Sequence, residues 1–367
     1  MNTPNKDQLS KFAAELDNLR NTVIDQLGEK DARYIIRLIA IQRSLDLCGR
    51  IAIAIAFLAF SGTLAWLIAA LGILLLSSSK ILDNMEIGHN VMHGQYDWMN
   101  HPTINSRVFD WDNAGHNESW KRYHNHEHHT YTNVLGKDRD FGYGLLRLSN
   151  DLPWKPKNLW QFFTFINLSA LFEWGVAYHE LAGERVFFGK KKEDSNLPIS
   201  DQQLKKDFFG KAGKQLFKDY VFFPLICWPV ALQILICNVI ANVIRNIWTG
   251  TIIFCGHFTE GAHTFSEDSI KNETRGDWYY RQILGSSNIS GGKFFHIMSG
   301  HLSCQIEHHL FPDVPSSYYR QLSPKIAELC STYDIPYNTG RFSKQYFEVV
   351  KRILYYSLPE KWQPAYG

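Results

Sequence analysis

An all-α integral membrane protein with about four transmembrane helices in two hairpins is the fold class this sequence predicts, and three observations carry that expectation. An uncharged run of 26 residues occupies positions 51–76, a second apolar stretch fills 220–255, and the 15 histidines gather in tight groups beside these stretches. Mean hydropathy is nevertheless only −0.23. Most of the 367 residues therefore belong in water, with a minority of membrane segments.

The chain opens with MNTPNKDQLSKFAAELDNLR, which is polar where a secretory signal needs an early apolar core, so no export signal is expected there. Leu9, Phe12, Leu16, Leu19, Val23 and Leu27 recur at steps of three and four, which predicts an amphipathic helix stopped by Gly28. Residues 1–44 read as cytosolic or interfacial N-terminal helices, and 45–367 as the main domain.

At about 1.5 Å per residue the 51–76 run would make one helix of roughly 39 Å, longer than the ~30 Å hydrocarbon core. Ser61-Gly62-Thr63 interrupts it midway, so one tilted span competes with a tight hairpin. Lys6, Lys11, Arg20, Lys30, Arg33, Arg37, Arg43 and Arg50 precede it, and basic residues are common after it. Both flanks look cytosolic, which favours the hairpin. Its first helix must then run back through Arg50, Asp46 and Arg43.

A second pair of spans is expected over 220–255, with Pro224 and Pro229 disturbing the first. Asn238, Asn242, Arg245 and Thr249 are spaced four, three and four apart, so they share one helix face. Arginine there implies a bundle interior or a wet cavity. Residues 159–181 are apolar but contain Glu173, His179 and Glu180 between basic neighbours on both sides, which reads as interfacial or re-entrant rather than a crossing. The charged stretch 184–218 is a cytosolic connector.

Charge excludes one class of function. With 38 basic and 36 acidic residues the formal charge is +2, too balanced for a nucleic-acid partner. Six cysteines show no CxxC pairing and read as small buried hydrophobes in a reducing compartment.

The histidines carry the chemistry. His89 and His93, four apart, lie on one helix face and suit bidentate capture of a metal. In His124-Asn125-His126-Glu127-His128-His129, His124 and His128 share a face while His129 turns about 100° away, so adjacent histidines serve two different ions. Gln305-Ile306-Glu307-His308-His309 repeats the adjacent pair, with His301, Gln305 and His308 on one face. His257 ends the last apolar span. Imidazole suits zinc, copper, iron and nickel. Zinc sites take three or four protein ligands, and eight or more histidines exceed that, which implies two ions. A zinc-dependent membrane hydrolase and a non-catalytic metal-binding or transport protein are the competing classes.

At these residues the sequence resembles the membrane fatty acid desaturase family, in particular its mycobacterial NADPH-dependent stearoyl-CoA Δ9-desaturase group. GHNVMHGQYDWMN, HNHEHHTYTNVLGKDRDFGYG, IRNIWTGTIIFCGHF and GHLSCQIEHHLFPDVPS occur in the family's order, and the similarity runs from about Gly28 to near the C-terminus. The resemblance implies four membrane helices under a cytosolic helical cap, two Fe ions, O₂ as oxidant and an acyl chain in a bent tunnel. It places His89, His93, His124, His128, His129, His257, His308 and His309 at metal-binding positions. Gln305 stands where the animal stearoyl-CoA enzymes have histidine, so Gln305, His301 or a water must complete that iron. His126 and His296 fall outside the ligand set, and His101, His116, His179 and His263 read as ordinary histidines.

Glu86, Asn90, Glu127, Asn133 and Asp138 are candidates to orient the imidazoles, and Trp98, Trp111 and Trp120 to shape the acyl entrance or mark the headgroup boundary. No GxGxxG fingerprint, ferredoxin cysteine set or cytochrome b5 motif is present, so electrons from NAD(P)H are expected through a separate electron-transfer protein, a ferredoxin-type reductase or similar. The expected function is O₂-dependent insertion of a cis double bond into a saturated fatty acyl chain, an acyl-CoA at Δ9, whose phosphates would meet the basic stretch from Lys190 to Lys218. Decarboxylation of a free fatty acid to a terminal alkene, or hydroxylation, is the alternative. The site is expected on the cytosolic side of a multi-pass protein, in the inner membrane if the source is bacterial.

Overall fold

The computed structural model describes residues 4–189 and 199–364. Helix α1, Lys6–Ile24, starts at a capping box in which the Asn5 side chain accepts from the Gln8 amide and the Gln8 side chain accepts from the Asn5 amide, each at 2.9 Å. Phe12 and Leu16, fully buried, pack it on α8, Arg275–Leu284. The helix ends at Ile24, before Gly28. Gly28 instead caps the start of α2, with its amide donating to Asp31 Oδ2 at 3.1 Å.

Helix α2, Glu29–Ala59, and helix α3, Gly62–Ile81, form the expected hairpin, broken at Phe60-Ser61. Gly49 and Gly72 let the two backbones touch. A Cβ on either would stand 2.9 Å from the other's carbonyl oxygen, so a larger residue at this crossing would push the helices apart. Leu47, Ile51, Ile55 and Leu58 on α2 and Leu64, Leu67, Leu71 and Leu74 on α3 face outward and are exposed, the pattern of a lipid-facing surface. Arg50, awkward for a membrane helix, turns inward: it pairs with Asp46 at 3.0 Å and Asp219 at 3.3 Å and lies over the Phe223 ring.

Two helices among the described residues are long and apolar enough to cross a membrane, Gly62–Met92 and Trp228–His257. The first is α3 continued through a π-helical stretch, Leu82–His89, to Met92. The second contains α7, Ala231–His257. The limb before α7 is not a clean span. Helix α6, Asp201–Phe217, runs through Lys218–Phe222 to a short helix Phe223–Ile226 that breaks at Cys227. The prolines at 224 and 229 bracket that break.

The polar face of α7 is buried as its spacing predicts. Arg245 pairs with Glu173 at 2.6 Å, both about 1% exposed. Asn238 and Asn242 donate to Asp219, and Thr249 to Asn84. Lys80, on α3, joins this network by pairing with Asp219 at 2.7 Å and Asp112 at 3.2 Å. The segment 159–181 is two short helices, α4 Gln161–Ala170 and α5 Phe172–Glu180, each too short for a ~30 Å crossing. Trp160, Phe163, Ile166 and Leu171 are exposed along it, consistent with an interfacial position.

The main further elements pack at the histidine-bearing ends of the two long helices. They are α8, α9 Gln305–Leu310, α10 Tyr319–Thr332, α11 Phe342–Ser357 and one short parallel pair, Asn288–Ser290 with Thr339–Arg341. Arg352 of α11 donates to the carbonyls of Leu148, Thr259 and Ala262 at 2.9–3.0 Å, fixing the chain where α7 ends.

Candidate metal centre

Four separate segments deliver the histidines. The π-helical stretch after α3 carries His89, with His93 one turn on. A second π-helical stretch, Lys121–His128, carries His124 and His128 and leads into His129. The end of α7 supplies His257, and α9 supplies His308 and His309. The widened i→i+5 turn is rare and concentrates at functional sites. Two of the three such stretches among the described residues carry these histidines, and the third, Lys218–Phe222, continues α6.

Two clusters result. His89, His93, His124 and His308 bring one ring nitrogen each within 4.8 Å of one another, and His128, His257 and His309 do the same. The adjacent pair His308/His309 splits between the clusters. So do His124 and His128, whose rings stack at 5.1 Å. His129 lies between the clusters, 4.6 Å from the His93 ring, 4.7 Å from His308 and 4.4 Å from His309, and neither of its nitrogens has a protein partner. The Gln305 amide reaches His257 Nε2 at 2.9 Å through Nε2, while its Oε1 is unpartnered. His301 joins neither cluster; its Nδ1 pairs with Glu86 at 2.8 Å.

The outward nitrogens explain why these clusters fit a metal. His89 Nδ1 faces Asn90 Oδ1 at 3.3 Å, His124 Nδ1 faces Asp140 at 3.3 Å and His128 Nδ1 faces both Asp138 oxygens at 3.1 Å. His257 Nδ1 faces the Gly285 carbonyl at 3.4 Å, and His309 Nδ1 faces Gln282 Oε1 at 3.1 Å. All five partners are acceptors: the Asn90 and Gln282 amide nitrogens are already donated to carbonyls of Glu86 and His129. The proton therefore belongs on Nδ1, which leaves a bare lone pair on Nε2. Yet His89 and His124 Nε2 stand 3.2 Å apart, and His257 and His309 Nε2 3.1 Å apart. Opposed lone pairs at that distance repel unless a cation lies among them; the Gln305 amide N–H answers the one on His257, and those on His89, His124 and His309 are left to a cation. His93 Nε2 and His308 Nε2, also buried and unpartnered, point the same way.

Electrostatics agree. Burial first, then the surrounding imidazoles, hold His93, His129, His308 and His309 well below the ordinary histidine pKa, so they stand neutral and ready to ligate. Burial also acts on His128, but the Asp138 carboxylate outweighs it and raises that group. Burial pushes Asp140 up, and its hydrogen bonds to His124 and His179 bring it well below the usual carboxylate range.

A family model described as fatty acid desaturase matches residues 64–341. The chain belongs to the fatty acid desaturase family. It is 44% identical over 358 residues, 96% of its length and 81% of the relative's, to the NADPH-dependent stearoyl-CoA 9-desaturase of Mycobacterium tuberculosis. It is 26% identical over 278 residues, 73% of this chain and 74% of the relative, to the sn-1 linoleoyl-lipid 6-desaturase of Synechocystis.

In this desaturase the groups that orient the imidazoles are partly those read from the sequence. Asn90 and Asp138 hold His89 and His128 directly. Asn133 instead fixes backbone, donating to the carbonyls of His257, His263 and Gly285, and Glu86 acts one residue away, on His301. Asp140, Gln282 and the Gly285 carbonyl were not anticipated, nor was Tyr319, whose hydroxyl lies 3.4 Å from His308 Nδ1. Gln282 and Tyr319 come from distant helices, and no local spacing marks them. His179, read as ordinary, braces Asp140 at 3.4 Å. His126 is exposed, and both nitrogens of His296 are taken by Ser303 and Gly291.

Trp120 is buried and stacks on the His124 ring at 4.5 Å, with Trp111 behind it. Both line a small inner cavity of about 40 Å³, walled also by His89, His124, Tyr143, Phe172 and Ile253 and, on a polar side, by Asn84, Asp140 and Glu180. Both are buried beside the histidines rather than exposed. Trp98 lines neither this cavity nor the groove outside it. Tyr143 belongs to both. The groove has a volume of about 710 Å³ and is walled by Leu145, Leu146, Leu152 and Leu168.

Proposed function

We propose that this chain is a multi-pass membrane enzyme that holds two irons and inserts a cis double bond at Δ9 of a saturated acyl-CoA. The paired histidine clusters, with inward Nε2 lone pairs beside an aromatic-walled cavity, are the observation that carries this reading, and the Mycobacterium tuberculosis relative supplies the substrate class. His89, His93, His124 and His308 would hold one iron. His128, His257 and His309 would hold the other with the Gln305 amide, and His129 stands where either could use it. The ions, when bound, supply the reduction of O₂: two electrons and two protons from outside join the two hydrogens taken from adjacent methylenes, and two waters leave.

The chain's own residues do the positioning. Asp138, Asp140, Asn90 and Gln282 fix each imidazole's tautomer and angle. Trp111, Trp120, Phe172 and Ile253 offer an apolar bed for the methylenes beside His89 and His124 and exclude water from them. Tyr143 sits where the chain passes from groove to cavity. Lys155 and Lys157, exposed at the groove and in no ion pair among the described residues, suit the phosphates of a CoA carrier. The connector is a poorer match: Lys190-Lys191-Lys192 lie outside the described residues, while Lys211 and Lys218 are engaged by Asp110 and Asp112.

In this reading both hairpins cross the bilayer, with α2 and the limb through Ile226 as the two remaining spans, and the histidine clusters face the cytosol. Residues 1–44 are the cytosolic or interfacial lead-in to the desaturase unit 45–367, with α2 continuous across that division. Electrons come from a separate NAD(P)H-dependent donor. The test is product analysis of the iron-loaded enzyme given stearoyl-CoA or free dodecanoic acid. A mid-chain alkene from the thioester, with about two irons per chain, is expected. A chain-shortened 1-alkene from the free acid with the thioester untouched, or stoichiometric zinc in an active preparation, would overturn it.

A further inference from the structure

A second depression, of about 410 Å³, lies apart from the acyl groove and shares no residue with it or with the inner cavity. Lys30, Lys293 and Arg320 line it. All three are exposed and in no ion pair among the described residues. The one carboxylate lining it, Asp31, is buried and occupied by the Gly28 amide and the Tyr318 hydroxyl. Phe294, next to Lys293, is 76% exposed, an apolar contact beside a cationic ring.

The depression is wired to the metal site. His301, 3% exposed, is among its lining residues and pairs with Glu86 at 2.8 Å. Glu86 also accepts from Tyr34 at 2.6 Å and Ser316 at 3.0 Å. Its backbone carbonyl accepts from Asn90 at 3.0 Å, and Asn90 faces His89 at 3.3 Å. Tyr319, adjacent to Arg320, reaches His308 at 3.4 Å. Two histidines of the four-histidine cluster are thus tied, through buried polar contacts, to one cationic surface.

We infer that the depression ringed by Lys30, Lys293 and Arg320 is the docking surface for an acidic electron-transfer protein. This rests on the reading above, in which electrons come from a separate donor. Unpaired charge of one sign around a small contact steers a partner of the opposite sign and sets the association rate. It also makes the encounter sensitive to salt. The acyl substrate has its own groove, so donor and substrate occupy the enzyme together.

The test uses the full-length, iron-loaded chain in lipid nanodiscs with stearoyl-CoA and, as donor, an acidic [2Fe–2S] ferredoxin kept reduced by its NADPH-dependent reductase. In the triple variant K30E/K293E/R320E the half-saturating ferredoxin concentration should rise at least tenfold and lose most of its salt dependence. Product from a single turnover driven by dithionite should stay at the wild-type level. K155E/K157E should raise the KM for stearoyl-CoA and leave the ferredoxin response alone. An unchanged ferredoxin response in the triple variant would overturn the proposal, as would a shift seen only in K155E/K157E or a wild-type enzyme that turns over with dithionite but never responds to the acidic donor. No desaturated product from wild type even with dithionite would instead remove the di-iron desaturase reading, and the docking surface with it.

Discussion

His257 and His309 turn their Nε2 atoms toward each other at 3.1 Å while each Nδ1 is held by an acceptor behind it. Neither ring can rotate to relieve the contact without breaking its outer hydrogen bond, so the pair is arranged for a shared cation. His309→Ala should therefore remove at least one iron per chain and lower turnover at least a hundredfold, and His128→Ala should do the same. Metal analysis beside product formation checks both. Full iron content in the two variants would count against the assignment.

Asp138 is fixed before it meets any histidine: its oxygens accept from the Asn133 amide at 2.7 Å and the Asp140 amide at 2.9 Å. It then aims at His128 Nδ1. Removing such an outer partner typically lowers metal affinity or activity by about 10–100-fold. Asp138→Asn should fall in that range, with iron lost faster to a chelator while the helical content stays unchanged. An iron-release rate equal to wild type would show that His128 is held by packing alone.

Acid should destabilise the metal-free protein. His93, His129, His308 and His309 have depressed pKa values in the fold, whereas in the unfolded chain they titrate near ~6.5. Below that pH the unfolded state takes up protons that the fold refuses. Their contribution is present above ~6.5 and is lost as pH falls toward the folded values. His128 is raised and acts the other way, helping below its unfolded value and losing that help as pH rises through its folded one. His124, His263 and His296 are lowered too, while the raised carboxyls of Glu180 and Glu307 act with His128; seven groups oppose three, so thermal unfolding of chelator-treated protein should move to lower temperature between pH 8 and pH 5. A rise in that interval would contradict the neutral-imidazole assignment.

How much of this was legible in the sequence depends on whether the determinant was local. The hairpin break at Ser61, the polar face through Arg245 and the histidine groups are short-range patterns, and they appear where the spacing puts them. The end of α1 falls three residues before the Leu27 that the apolar period reaches, because Gly28 works as the next helix's cap. The π-helical turns at His89 and His124–His128 have no composition signature, so the sharing of His124 and His128 between two clusters was hidden by the assumption of 3.6 residues per turn. Gln282, Tyr319 and the Gly285 carbonyl stand 27, 11 and 28 residues from the imidazoles they meet, beyond the reach of any one helix's spacing. Only the fold brings them to the imidazoles.

The Arg245–Glu173 pair sets a stability prediction. Both side chains are about 1% exposed, and breaking such a buried pair from one side costs about 3–5 kcal/mol, because the remaining charge is left unpaired. Glu173→Gln should lower thermal stability in detergent by that order. Adding Arg245→Met to Glu173→Gln should recover part of the loss. If the single variant unfolds with wild type, the guanidinium is satisfied by the Asp112 carbonyl and Asn242 alone.

Tyr143 carries the prediction about positional selectivity. It lies in a left-handed run, Gly142, Tyr143 and Gly144, with φ of 62°, 52° and 66°. For tyrosine that conformation costs roughly 1–2 kcal/mol. The ring is nevertheless held there, against Phe172 at 5.6 Å, Phe254 at 5.9 Å and His179 at 5.4 Å, lining both the outer groove and the inner cavity. If the methylene that meets the irons is selected by how far the chain threads past this ring, Tyr143→Gly should relieve the backbone yet widen the passage. The enzyme should then yield a mixture of double-bond positions from stearoyl-CoA at reduced turnover, while Tyr143→Phe keeps a single position. Mass spectrometry of derivatised products reads the outcome directly. One isomer from Tyr143→Gly would place the selecting contact deeper, among Trp111, Trp120 and Ile253.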